Sequence, residues 1–291
     1  NENTDIFDLT IGGYGLTGVI LSAQLRLLPL PGWKICESRI KVGKLTEAFR
    51  ELNRLKADYD MIYCWSDLTA RGKHFGRGYI VAGKFIQGGN PQELDARYKK
   101  LDPSTQKRFR PAVFSDVAMP QINHIYYHQK TWSNNDRSVP LFNFLFPAVG
   151  NEFFFDFFGP RGLIEQQVLL PYNSIDAYLD EFIPMLRSHG RPVALATIKA
   201  FQGHQDLLHF NGTGFNFTIE VRNTPANVSF LNSLDELNCR FEGITNIIKD
   251  SRLKSDIVKR QYPAYEEFRE RLHRYDPARR FSSSISERLA L

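Results

Sequence analysis

The alternation of apolar and polar positions predicts strands and helices along most of the chain. Strands are predicted where side chains alternate in polarity or form short apolar runs, and helices where apolar residues recur every three or four positions. The predicted strands are Val19–Leu28, Trp33–Val42, Met61–Trp65, Gly78–Phe85, Leu163–Leu170, Val193–Phe201, Phe215–Val221 and Ile244–Ile248. The predicted helices are Lys44–Lys56, Ile122–Trp132, Ser174–Ser188, Val228–Phe241, Leu253–Arg260 and Tyr265–Tyr275. This order predicts an α+β fold, an antiparallel sheet flanked by helices.

The longest of these helices carries its own start and stop signals. Asn173 or Ser174 is predicted to cap its first turn, and Gly190 is predicted to end it. Pro184 is predicted to kink it. Earlier in the chain, the polar stretch Gln87–Arg110 is interrupted by prolines and predicts a mobile, lid-like insertion.

Three predicted strands in the second half of the chain each have one polar face. Side chains alternate across a strand, so residues two apart share a face. The polar positions are Glu165 and Gln167, then Thr197 and Lys199, then Asn216, Thr218 and Glu220. An antiparallel sheet with one solvated face has this pattern without any function, and a lone strand lysine usually guards an edge. The alternative is a binding surface whose short hydrogen-bonding groups orient sugar hydroxyls.

A glycine-rich segment, Gly12–Ile20, lies close to the first residue and predicts a tight turn. Four glycines in seven residues indicate that the backbone passes close to something bulky. The segment lacks the Gly-Lys-Ser/Thr of a phosphate-binding loop, and a strand rather than a helix is predicted after it, which excludes a dinucleotide-binding βαβ unit. Two interpretations stay open, a turn within a sheet and a turn that borders a ligand.

Composition and charge narrow the class of function. The formal charge of +5 is mild for 291 residues, and no run of Lys and Arg indicates nucleic-acid binding. The sequence contains no apolar run of 18 residues, the length that would predict a membrane-spanning helix. We therefore expect at most peripheral contact with an anionic membrane. Three widely spaced cysteines indicate a reducing, cytoplasmic compartment and no zinc site, and no metal is expected.

Several segments, taken in order, resemble a known family. Gly12–Ile20 resembles the late part of the FAD-binding domain in vanillyl-alcohol-oxidase-type flavoproteins. Further motifs are similar to the decaprenylphosphoryl-ribose oxidase branch, the flavin subunits of a sugar epimerase pair. These motifs are Gly159–Val168 with Pro171, Ala196–Phe201, Gly214–Asn216, Lys249–Arg252, Asp276-Pro277 and Arg288-Leu289. The resemblance spans nearly the whole chain and is weak between Trp65 and Pro140.

The resemblance implies a division into domains. Residues 1–30 would be the C-terminal remnant of an FAD-binding domain, 31–275 a substrate-binding (cap) domain, and 276–291 a tail that returns towards the FAD domain. The chain would then be a C-terminal fragment, expected to lack FAD and to be inactive alone. The cofactor-binding residues implied are Gly15, Thr17, Gly18 and Val19.

The resemblance also implies roles for the polar face. Lys199 corresponds to the family's lysine at the flavin–substrate interface, with Glu165 and Gln167 as the other catalytic residues, and the implied substrate-binding residues are Asn216, Thr218 and Glu220. Glu165 replaces a glutamine of the family, giving Glu-x-Gln, which approaches the Glu-x-Arg of alditol and aldonolactone oxidases. Thr218 replaces a cysteine, and Leu145-Phe146-Pro147 lacks an aromatic–His pair.

The implied activity is FAD-dependent oxidation of a sugar or polyol hydroxyl to a carbonyl, by hydride transfer to flavin N5. The implied substrate is linked to a polyprenyl phosphate, and a partner reductase is implied as well. One alternative is an aldonolactone or alditol oxidase. Another is a carbohydrate-binding domain that kept the fold without catalysis.

Overall fold

The computed structural model describes residues 3–91, 111–132, 136–147 and 153–291. Most of the predicted lid, from 92 to 110, lies outside the described residues. Within the described ranges, every helix is too short or too polar to cross a membrane.

A single antiparallel sheet of eight strands forms the centre of the structure. Its strand order is β4-β1-β3-β2-β6-β7-β5-β8, and every described pair of neighbours is antiparallel. The strands are β1 (Lys34–Val42), β2 (Met61–Asp67), β3 (Arg77–Ile86), β4 (Arg137–Pro140), β5 (Leu163–Leu170), β6 (Leu195–Phe201), β7 (Gly214–Arg222) and β8 (Ile244–Thr245). The predicted α+β fold with an antiparallel sheet is confirmed.

Ten helices are described around this sheet. They are α1 (Thr4–Thr10), α2 (Leu45–Leu55), α3 (Ala118–Thr131), α4 (Leu141–Leu145), α5 (Phe153–Asp156), α6 (Ile175–His189), α7 (Pro225–Arg240), α8 (Ser255–Gln261), α9 (Tyr265–Tyr275) and α10 (Ser284–Leu289). All six predicted helices are present. Gly190 ends α6 in a left-handed conformation, as predicted, and α6 continues through Pro184.

Helices α2, α6 and α7 cover one face of the sheet and bury the main core there. Phe49 of α2 and Phe182 of α6 both make edge-to-face ring contacts with Phe217 in the centre of the sheet. Phe49 and Phe217 are each 2% exposed. Burying an aromatic side chain of this size stabilises the fold by about 1.5–3 kcal/mol. The apolar face of α2, which follows from its helical spacing, therefore packs against the apolar face of β7 in one core.

The opposite face of the sheet is divided into two parts. On its β1–β3–β2 half, Leu141 and Phe144 of α4 pack over Ile35, Trp65 and Tyr79. On its β6–β7–β5 half lie the polar side chains singled out in the sequence. The division leaves the polar half as the side of the sheet that can face a ligand.

A second core joins the first residues to the last. Leu9 and Leu16 pack with α8, α9 and the C-terminal Leu289 and Leu291. A Cβ atom placed on Gly18 would lie 3.9 Å from the ring of Phe281. The glycine turn and the C-terminal tail are thus neighbours, which brings together the first and third of the predicted segments; the domain boundaries themselves stay a prediction.

The predicted strand Val19–Leu28 is wrong. Residues 18–31 have no regular secondary structure, and Leu21 and Leu28 are 93% and 85% exposed. A strand needs a neighbour that accepts and donates its backbone hydrogen bonds, and no described residue of this chain supplies one. The glycine turn therefore does not lie inside a sheet; it follows α1.

Two smaller predictions at element ends are also corrected. Ser174 does not cap α6: residues 172–174 form a turn of 3₁₀-helix, and the Ser174 hydroxyl donates to the carbonyl of Pro171 at 2.9 Å. Strand β8 ends at Thr245 because the side chain of Asn246 accepts from the backbone N–H of Ile248 at 3.1 Å, which turns the chain.

Thr224 caps α7, and its loss is expected to destabilise the protein. Its hydroxyl accepts the backbone N–H of Asn227 at 3.3 Å, and Pro225 takes the first helical position. Thr224→Ala is expected to lower the free energy of unfolding by about 1 kcal/mol, measured by chemical denaturation. Ser233→Ala, on the exposed side of the same helix, is the control. Equal losses in both variants would contradict the capping role.

Candidate functional site

The register of three neighbouring strands assembles the predicted polar residues on one face. Across β5 and β7, Glu165 lies opposite Glu220, and Gln167 lies opposite Thr218. Across β6 and β7, Lys199 lies opposite Asn216. The six residues predicted as catalytic or substrate-binding therefore share one continuous surface. Their roles in catalysis and binding stay a prediction.

A chain of hydrogen bonds fixes the amide groups of this surface. The Asn246 amide donates to Oε1 of Gln167 at 2.6 Å, and Nε2 of Gln167 donates to the Thr218 hydroxyl at 3.2 Å. The Thr218 hydroxyl then donates to Oδ1 of Asn216 at 3.2 Å. Because each group holds the next, the side chains are oriented before any ligand arrives. Asn216 and Thr218 are buried, so the half-buried Gln167 is the more accessible member.

Glu165 forms an ion pair with Lys249, a residue that the sequence analysis did not include in the site. Lys249 Nζ lies 3.3 Å from Glu165 Oε1, and the two side chains are 50% and 17% exposed. The signal for Lys249 was its place in the motif Lys249–Arg252. Its pairing could not be predicted, because it depends on the short strand β8 lying beside β5.

The other two charged members of that motif have a structural role. The guanidinium of Arg252 binds Asp235 at 2.6 Å and Asp250 at 2.7 Å, and Gln166 donates to Asp235 at 2.7 Å. All three charged side chains are largely buried. This cluster fastens the segment that carries Lys249 to helix α7.

Glu220 is a buried carboxyl group. The residue is 6% exposed, and among the described residues its Oε2 has no hydrogen-bond partner. Burial raises the pKa of Glu220 to about 8, helped by the negative charge of Glu165 and opposed by Lys249. The predicted direct contact between Glu220 and substrate gains no support from this burial.

Lys199 projects from the same face and is exposed. It lies opposite Tyr63 on β2 and Asn216 on β7. Within the described ranges no carboxylate forms an ion pair with it. Its positive charge is therefore available to a ligand that approaches this face.

The glycine turn packs against the loop that joins β6 to β7. Gly12, Gly15 and Gly18 have φ of 66°, 75° and 136°, values that favour glycine. The Tyr14 hydroxyl donates to the carbonyl of Leu208 in that loop at 2.6 Å. The turn thus lies beside the loop that follows the strand of Lys199.

The four residues predicted to bind FAD lie in or next to this turn. A Cβ atom on Gly15 would meet nothing within 4 Å, and Val19 is 77% exposed. The hydroxyl of Thr17 lies 2.8 Å from that of Thr10. Open space around Gly15 and Val19 suits the close approach of a planar ring system. In the described part of the chain, no group of three or more His, Cys, Asp or Glu is placed to hold a metal ion.

Comparisons with known proteins find relatives that match almost the whole chain. The chain is 25% identical over 300 residues to decaprenylphosphoryl-beta-D-ribose oxidase of Mycolicibacterium smegmatis, a match that covers 99% of the chain and 64% of that relative. It is 22% identical over 316 residues to an uncharacterised protein in the mprA 5′ region of Streptomyces coelicolor, covering 100% of the chain and 82% of the relative. No protein-family profile matches the chain.

The similarity to a protein named as an oxidase extends along nearly the whole chain. The chain spans a little under two thirds of the length of that relative.

Proposed function

We propose that this chain forms the substrate side of an FAD-dependent oxidoreductase that oxidises a sugar or polyol hydroxyl to a carbonyl. The observation that carries the proposal is the hydrogen-bonded row Gln167–Thr218–Asn216 beside the ion pair of Glu165 and Lys249. Fixed amide and hydroxyl groups next to a carboxylate suit the recognition of neighbouring hydroxyl groups. We propose further that residues 31–275 are the substrate domain, and that a flavin domain outside this chain completes the site.

The residues of the chain fit one side of a flavin. Lys199 offers an exposed cation on the sheet, and the turn at Gly15 and Val19 offers uncrowded backbone. When bound, FAD would supply the hydride acceptor N5.

Each polar residue has a role in the proposed reaction. Gln167 and Glu165 orient the hydroxyl that is oxidised, and the Glu165 carboxylate accepts its proton. Lys199 stabilises the negative charge that develops at the acceptor, since a positive charge positioned there favours the charged product. Lys249 holds the Glu165 side chain in place through their contact.

The preferred substrate is a sugar hydroxyl on a polyprenyl-phosphate carrier, with a partner reductase completing an epimerisation. The name of the Mycolicibacterium relative supports the carrier-linked sugar. Glu165, in place of a glutamine, favours an aldonolactone or alditol oxidase as a second candidate.

The decisive experiment measures the flavin directly. The full-length protein is expected to be yellow and to bleach when a sugar, alditol or aldonolactone substrate is added without oxygen. The substrate that bleaches it fastest identifies the branch. A colourless full-length protein that still binds sugars would contradict the proposal and support a carbohydrate-binding domain.

Lys199→Met is expected to slow flavin reduction by substrate about 10- to 100-fold, because the charge near the acceptor is lost. Stopped-flow absorbance under anaerobic conditions measures this rate. Lys84→Met is the matched control: Lys84 is an exposed strand lysine on the opposite face of the same sheet, over the ring of Tyr59. Reduction by the Lys199 variant at the wild-type rate would remove Lys199 from the mechanism.

A further inference from the structure

Two carboxyl groups face each other directly at the edge of the proposed site. Glu165 and Glu220 are paired residues of β5 and β7, so their side chains leave the same face of the sheet. Leu195 of β6 lies on the other side of Glu220 and adds no charge. The charged groups that act on Glu220 are Glu165 and, from the segment after β8, Lys249.

Among the described residues, Glu165 forms an ion pair with a cation and Glu220 forms none. Lys249 contacts Glu165 at 3.3 Å. Oε2 of Glu220 is buried, and in the described part of the chain it meets no donor. An ionised carboxylate without donors is costly to bury, and a second negative charge next to it raises that cost.

We propose that Glu220 is a neutral carboxylic acid in the working enzyme, and that its ionisation at alkaline pH switches the site off. This inference rests on the proposed function. Under this inference, Glu220 is a positioning residue that acts through Glu165, and it does not contact the substrate itself. The raised pKa that follows from its burial places the switch near pH 8.

The charge balance explains why the neutral form is the active one. With Glu220 neutral, Glu165 and Lys249 cancel each other, and Lys199 leaves the face with a net positive charge. In the proposed reaction the hydroxyl proton goes to Glu165 as the C–O bond becomes C=O, and a bound flavin would supply the acceptor for the hydride that leaves the same carbon. Ionised Glu220 would place a second negative charge beside Glu165 and compete with it for Lys249, so that the carboxylate that orients the hydroxyl and accepts its proton is no longer held in place.

The experiment compares alkaline pH profiles of flavin reduction in the full-length holoenzyme. The wild-type rate is expected to fall about tenfold between about pH 7 and pH 9, following one ionisation. In Glu220→Gln, whose amide is permanently uncharged, this fall is expected to vanish, so that its own rates at the two pH values differ by less than about twofold.

Glu37→Gln is the matched control. Glu37 is also 6% exposed on the same face of the sheet, but Arg39 and Arg137 bind it at 2.9 and 2.5 Å. This variant is expected to keep the alkaline fall. A fall of equal size in wild type and in Glu220→Gln would overturn the inference.

A second readout does not depend on turnover. The infrared carbonyl band of a protonated carboxylic acid is expected in the wild type at pH 7, to be lost with a midpoint near pH 8, and to be absent from Glu220→Gln. Absence of this band from the wild type at pH 7 overturns the inference even if substrate reduces the flavin. If the band is present but no substrate bleaches the flavin, the proposed function is wrong although Glu220 is protonated. The proposed switch is then overturned as well, because it rests on that function.

Discussion

Arg252→Met is expected to lower the free energy of unfolding by about 3–5 kcal/mol, because it leaves buried carboxylates without their cation. Arg252 is 11% exposed, while the side chains of Asp235 and Asp250 are 3% and 0% exposed. Burial raises the pKa of both aspartates, and the Arg252 guanidinium opposes that rise. Methionine keeps an unbranched side chain and removes the charge.

Chemical denaturation at neutral pH measures this loss, with Arg260→Met as the control. Arg260 pairs with Glu236 at 2.8 Å between α8 and α7, and both side chains are about half exposed. An exposed pair of this kind contributes about 0–1 kcal/mol. Similar losses in the two variants would show that the buried cluster is not a special source of stability.

The buried cluster also has a consequence for the site. It fixes the segment that begins with Lys249, and Lys249 contacts Glu165. Arg252→Met is therefore expected to loosen that ion pair. Adding Asp235→Asn and Asp250→Asn to Arg252→Met is expected to restore part of the stability, since the uncompensated charges are then removed.

Glu220→Gln is expected to change how stability depends on pH. The ordinary pKa of a glutamate is 4.5, and the pKa of Glu220 in the folded protein is raised to about 8, mainly by burial. Between these values the unfolded chain loses this proton while the folded protein keeps it. The contribution of Glu220 to stability is thus fully present below the unfolded pKa and is lost as the pH rises through the folded pKa.

The stability of Glu220→Gln relative to the wild type should therefore increase at alkaline pH. Each unit by which the pKa of Glu220 is raised corresponds to about 1.4 kcal/mol of stability. Partial hydration of the site reduces the total effect. The free energy of unfolding of Glu220→Gln, relative to wild type, is expected to rise by roughly 2–4 kcal/mol between about pH 5 and pH 9. Urea denaturation at both pH values measures the change, which is independent of any constant cost of burying the amide.

Glu37→Gln serves as the comparison. The pKa of Glu37 is also raised by burial, but Arg39 opposes the rise. A smaller pH-dependent gain is expected for this variant. If the relative stability of Glu220→Gln did not change with pH, Glu220 would have an ordinary pKa in the folded protein.

Much of the fold could be predicted from local pattern. Helix α2 and strand β5 appear close to their predicted bounds, because helical spacing and alternation are properties of neighbouring residues. The exposed segment 18–31 shows the limit of this reasoning. Its apolar residues suit a strand, but a strand also needs a neighbouring strand for its backbone hydrogen bonds. The residues of the segment do not indicate whether such a neighbour is present.

The sequence by itself determined which side chains share a face on β5, β6 and β7, since alternation is fixed within each strand. Only the tertiary structure decided that β7 lies between β5 and β6, that Glu165 meets Glu220, and that Lys249 reaches Glu165. Those contacts join residues far apart in the chain, and the burial that raises the pKa of Glu220 arises from them. Pairing and desolvation are collective properties of the packed sheet, so no single segment encodes them.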